Sequence, residues 1–126
     1  MNFPDELLYS PGHLWVRAAG ATVTVGISEY AQGLLGRVGY VDLPSVGQAV
    51  TAGQEMGFAA ESSKSITDFI APVTGTVVEV NQALAADPAP LNGDPYGSGW
   101  LAMIELAGPL PANLLDAAAY AKLVGG

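Results

Sequence analysis

Hydrophobic and polar positions alternate along most of this chain, and the alternation predicts a β protein. Leu14-Trp15-Val16-Arg17-Ala18 has strand character, Ala19-Gly20 supplies a turn, and Ala21-Thr22-Val23-Thr24-Val25-Gly26-Ile27 alternates apolar with polar residues. That is the period-two mark of a half-buried strand, so the two segments predict a hairpin. A helix is predicted over residues 29–35: Ser28 caps it, Glu29 suits its positive end and Gly36 closes it, although Gly33 weakens it. Further strands are predicted at Arg37–Leu43, Glu55–Glu61, Ile66–Ala71, Thr76–Val80 and Trp100–Leu106, punctuated by Pro44, Gly47, Gly53, Pro72 and Gly75. Residues 82–99 form a long Pro-, Gly- and Asp-rich connection, a length that favours function or short structure of its own. Asp116 is a plausible cap for an Ala-rich helix over 117–123.

Short strands at this spacing suggest a small sandwich or barrel. Gly36-Arg37-Val38-Gly39-Tyr40-Val41-Asp42 resembles Gly75-Thr76-Val77-Val78-Glu79-Val80-Asn81 at one fixed offset. Two such halves about a pseudo-twofold axis would put the segment between them, residues 61–68, at an exposed edge. The length, 126 residues, predicts one domain, with a core over about 14–106 and a helical tail over about 111–124.

Composition narrows the chemistry. With no cysteine, disulfides, Cys-ligated zinc and thiol catalysis are excluded, and with one histidine, His13, so is a site of several imidazoles within one chain. Twelve acidic residues against four basic give a net charge of −8, which repels phosphate backbones and argues against nucleic-acid binding. The same charge suits solubility and docking onto basic patches of partners. No apolar run reaches the ~20 residues of a membrane span, and the N-terminus resembles neither a signal nor a transit peptide. A cytoplasmic monomer away from membranes is expected.

Lysine is scarce: Lys64 and Lys122 are the only two. Lys64 lies in Glu61-Ser62-Ser63-Lys64-Ser65-Ile66, where small polar residues separate two strand-like segments. A lysine at such a hairpin tip offers its amine to solvent on a long flexible stem, which covalent attachment by a modifying enzyme requires. The ordinary alternative is a solvated surface lysine.

The surrounding motifs, taken in order, weigh against that alternative. They are Tyr9-Ser10-Pro11-Gly12-His13-Leu14-Trp15-Val16, Val25-Gly26-Ile27-Ser28-Glu29-Tyr30-Ala31-Gln32, Val41-Asp42-Leu43-Pro44-Ser45-Val46-Gly47, Glu61-Ser62-Ser63-Lys64-Ser65, Ala71-Pro72-Val73-Thr74-Gly75 and Asp94-Pro95-Tyr96-Gly97-Ser98-Gly99-Trp100-Leu101. In this order, almost end to end, the chain resembles the H proteins of the glycine cleavage system. The resemblance implies a mainly β barrel-sandwich hybrid of two small antiparallel sheets with short helices, one of them C-terminal, as in lipoyl and biotinyl carriers. It implies lipoic acid in amide linkage to Lys64. It matches Glu61 and Gly75 to positions favoured by lipoylating enzymes, and His13 and Asp68 to positions near a groove that shelters the arm. The carrier, itself not catalytic, would serve a pyridoxal-phosphate glycine decarboxylase, an aminomethyltransferase and a dihydrolipoamide dehydrogenase. The cofactor would supply the chemistry and the carrier position and shielding.

The chain departs from the family's usual pattern at Leu14, where glutamate is common, and at Ser63 and Ser65, which replace valine and alanine. Leucine cannot hold a charged arm as a carboxylate could. Other readings are an H-like relay passing lipoyl groups to other complexes, a biotin carrier, a structural interaction module, and an enzyme using Glu61 and Asp68 as paired carboxylates. Biotin carriers usually flank the lysine with Met, whereas Ser63 and Ser65 stand here.

Overall fold

A computed structural model describes residues 2–63 and 65–125. It contains nine strands in two antiparallel sheets, with four short helices. The larger sheet comprises β1 (Leu8–Tyr9), β2 (Leu14–Ala19), β3 (Thr22–Ile27), β9 (Ala102–Leu106), β8 (Gly75–Val80) and β5 (Ala49–Val50), adjacent in that order. The smaller sheet runs β4 (Val38–Asp42), β6 (Glu55–Ser62), β7 (Ile66–Ile70). The predicted hairpin is β2–β3, with Trp15 directly opposite Gly26. That pairing accounts for the glycine: a Cβ there would stand 2.5 Å from the Trp15 indole, which occupies the space.

The first half of β2, Leu14 to Val16, is buried on both faces because consecutive side chains enter different clusters. Leu14 and Val16 join the main core between the sheets, with Ile27, Phe58, Phe69, Val77 and Ile104. Trp15 points the other way, into a second cluster with Leu7, Tyr9, Ala117 and Tyr120. The core therefore extends beyond the predicted 14–106: the N-terminal segment and the C-terminal helix close the outer face of the larger sheet.

The repeat is structural as well as sequential. Val38 and Val41 are buried in β4, as Val77 and Val80 are in β8. Each copy carries a register shift at the same place, between Val38 and Tyr40 against β6 and between Val77 and Glu79 against β9. The two halves lie in different sheets.

Helix α1 (Glu29–Leu35) starts where predicted: Ser28 accepts from the Ala31 N–H, and Gly36, at φ 72°, closes it. The 82–99 connection holds α2 (Ala83–Ala86) and α3 (Pro90–Gly93). At the C-terminus only α4 (Ala117–Leu123) is helical, capped by Asp116. The predicted tail from 111 is shortened because Leu115 pairs with Tyr9 instead, through two backbone hydrogen bonds of 2.7 and 2.8 Å. Strands β1 and β5, two residues each, are too short to show an alternation. No helix among the described residues is long and apolar enough to cross a membrane.

Candidate functional site

Of the predicted site residues, Glu61 and Asp68 lie on the β6–β7 hairpin and His13 lines a cavity beside it. The hairpin's strands pair Ala59 with Asp68, Ala60 with Thr67 and Glu61 with Ile66. Beyond the last pair, the Ser62 N–H donates to the Ser65 carbonyl at 2.9 Å and closes the turn. Phe58 of β6 and Phe69 of β7 stack at 4.9 Å inside the core, so the base of the hairpin is anchored. Ser63 and Ser65 are exposed. Lys64, the predicted attachment point, lies outside the described residues. The other lysine, Lys122, is in the last turn of α4.

Period-two alternation divides the remaining residues between the hairpin's two faces. Tyr40, Glu61 and Ile66 form a row on the outer face of the smaller sheet; Asp42, Ala59 and Asp68 form the next. Tyr40 and Ile66 are 54% and 65% exposed, so the acidic side chains sit among uncovered apolar ones. On the other face, Thr67 and Phe69 line a cavity of about 100 Å³ with Ser65, His13 and three α1 residues, Ala31, Leu34 and Leu35. One of the lining residues, Ser65, is next to Lys64 in the chain. His13 is among the lining residues. Asp68 is not among them; Thr67, its neighbour, is. Leu14 is fully buried in the main core and does not line the cavity either. Among the described residues, no lining residue is acidic or basic apart from His13.

His13 holds an unusual position. Its φ of 74° is the one positive value at a non-glycine residue among those described. Its Nδ1 lies 2.9 Å from the Tyr120 hydroxyl, and its ring packs against Tyr30 at 5.0 Å. Burial holds its pKa below the ordinary 6.5, because charging the ring there costs solvation.

Gly75 lies in the larger sheet and not on the hairpin. It opens β8, is buried, and pairs with Val50 and Leu106. It is a strand residue, not the turn glycine its surroundings suggested. A Cβ there would lie 2.1 Å from the Glu105 carbonyl oxygen, so the close approach of the paired strand β9 accounts for the glycine.

The family profile described as Glycine cleavage H-protein matches residues 7–125. This chain belongs to the glycine cleavage H-protein family. It is 49% identical to the glycine cleavage system H protein of Beutenbergia cavernae over 126 residues, covering 100% of this chain and 99% of that one. It is 44% identical to that of Myxococcus xanthus over 124 residues, covering 98% and 95%. A crystal structure of a glycine cleavage system H protein from Mycobacterium marinum superposes with a TM-score of 0.90 at 39% identity, covering 98% of this chain and all of that one.

H proteins are carriers, not catalysts; they bear lipoate covalently on a lysine and serve glycine cleavage. The described residues fit that group. The cavity beside the hairpin turn has the aliphatic and aromatic walls that an alkyl chain and a dithiolane ring require, and the turn joins rigidly held strands. Sequence reasoning missed Thr67, Leu34 and Phe69 on the cavity wall, and Tyr120 and Ser28 behind it. Asp68, expected near the groove, is the chain neighbour of the lining residue Thr67. Tyr120 had a usable signal, as the one aromatic residue in a helix otherwise made of alanines, Lys122 and Leu123.

Proposed function

We propose that lipoate is joined to this H protein by an amide at Lys64, and that the arm rests in the cavity between α1 and β7. The carrying observation is the hairpin itself: a turn closed by Ser62 and Ser65, with Ser63 and Ser65 exposed, beside an apolar recess that Ser65 helps to line. Lys122 offers no such setting, since it ends a short helix. When bound, lipoate supplies the disulfide that takes up the aminomethyl group left as glycine loses carbon dioxide.

The chain's own residues do the rest. Phe58 and Phe69 hold the hairpin base, so the modified end moves while its platform does not. Ala31, Leu34, Leu35 and Phe69 exclude water from a docked arm. His13 supplies the imidazole on that wall. Because none of the lining residues is a carboxylate, a cationic arm gains no ion pair there. Glu61, exposed three residues before Lys64, serves recognition by a lipoylating enzyme. Gly75, buried and sterically required, serves it through strand placement.

The outer sheet face, with Tyr40, Asp42, Glu61, Ile66 and Asp68, is the surface offered to partners. Its acidic and apolar mixture, on a chain of net charge −8, suits basic, partly apolar patches. The partners are the pyridoxal-phosphate decarboxylase, the aminomethyltransferase and the dihydrolipoamide dehydrogenase, in the cytoplasm.

The test is glycine–bicarbonate exchange with the decarboxylase and lipoylated protein. The native chain should support exchange and Lys64→Arg should abolish it, with stability changed by no more than about 0.5 kcal/mol. Full exchange by the arginine variant would refute the assignment.

A further inference from the structure

Behind the cavity wall a hydrogen-bonded series runs from α4 to α1. The Tyr120 hydroxyl lies 2.9 Å from His13 Nδ1 and 2.7 Å from Ser28 Oγ. Ser28 Oγ also accepts the Ala31 N–H at 3.1 Å, as the cap of α1. His13 is held in place from its backbone as well: its N–H donates to the Ser10 carbonyl at 3.0 Å, and its carbonyl accepts the Ser28 N–H at 3.0 Å. A left-handed histidine is unfavourable, and such strain persists where the surroundings over-determine it, often at functional sites.

The protons in this series can be assigned by counting. Ser28 is fully buried. Its oxygen already accepts one bond, and the acceptor within reach of its hydroxyl proton is the Tyr120 oxygen. Tyr120 must then donate to His13 Nδ1, which leaves the imidazole proton on Nε2. Reversing the direction would strand the Ser28 proton in the interior without an acceptor, a costly arrangement.

We infer that Tyr120 is a positioning residue for the carrier function: it holds His13 as the neutral Nε2–H tautomer on the wall of the arm cavity. The role rests on the reading that this cavity receives the lipoyl arm. Nε2 forms no hydrogen bond with the described residues, so its N–H is available to a docked arm. The group it recognises is a hydrogen-bond acceptor, such as an amide carbonyl or an uncharged amine; an ammonium finds no acceptor on it. The titratable groups that face His13 are Tyr30 from α1 and Tyr120 from α4; β7 presents Thr67 and Phe69. Tyr120 is itself fixed by stacking on Tyr9 at 4.8 Å and meeting Phe3 edge-on at 5.0 Å.

The chain has one histidine, so nitrogen NMR of ¹⁵N-histidine-labelled full-length protein reads this residue alone. The native protein should show the Nε2–H form above the titration midpoint. Tyr120→Phe keeps the aromatic packing and should give mixed tautomers with the midpoint moved upward. An Nδ1–H form in the native protein overturns the inference whether or not the variant folds. So does a folded Tyr120→Phe with unchanged tautomer and midpoint. The same spectra recorded with and without lipoate on the chain separate the two claims. A shift of Nε2 on lipoylation supports the role, and an unchanged Nε2 refutes arm docking at His13 while the tautomer result stands.

Discussion

At Gly75 the space for a methyl group is taken by the backbone of the neighbouring strand. With a Cβ at 2.1 Å from the Glu105 oxygen, Gly75→Ala must push β8 and β9 apart or tilt one of them. Overpacking of this kind costs about 1–3 kcal/mol, occasionally more. Denaturant unfolding of Gly75→Ala should show that loss; an unchanged midpoint would mean the strands separate freely. His13 gives the second prediction at this scale. Its pKa in the folded chain is lowered from 6.5 by burial, so the unfolded chain takes up the proton first. His13 therefore contributes its stability fully above about pH 6.5, and that contribution is lost as pH falls from there to the lowered folded value. The melting temperature should drop across this interval, and His13→Gln should flatten the slope. An equal slope in both proteins would assign it elsewhere.

The elements that sequence reveals are those whose patterns are long enough to repeat. Strand β3 and helix α1 were legible because six alternating residues and a capped seven-residue helix carry their own signals. Strands β1 and β5 were not: with two residues each, they exist because β2 and β8 offer partners. The C-terminal tail was legible from Asp116 onward, but Leu115 answers to Tyr9, a contact over a hundred residues away in the chain. The site divides in the same way. The hairpin and Glu61 follow from local pattern, whereas the cavity wall needs α1 and β7 brought together, which no spacing records. The outer face of the β4–β6–β7 sheet supplies the prediction for this scale. Reversing the charge at both Asp42 and Asp68 should slow association with the decarboxylase several-fold at low salt and flatten its dependence on ionic strength. Stopped-flow association at two salt concentrations reads this directly, and equal rates would remove the face from docking.

Over the whole molecule, the two clusters divide the labour. The main core holds the sheets together and anchors the hairpin through Phe58 and Phe69. The second joins both chain ends to the outer face of the larger sheet through Tyr9, Trp15 and Tyr120, and through Tyr120 it reaches the wall of the cavity. A carrier needs this combination of a fixed platform and a recess beside the attachment point. The proposed function puts the meeting of platform and cofactor at the amine of Lys64. Peptide mapping by mass spectrometry, on protein purified from its native host, tests that most directly. The account predicts a lipoyl adduct on the peptide containing Lys64 and none on Lys122. An adduct on Lys122 alone, or an unmodified Lys64 in material that sustains glycine cleavage, would contradict it.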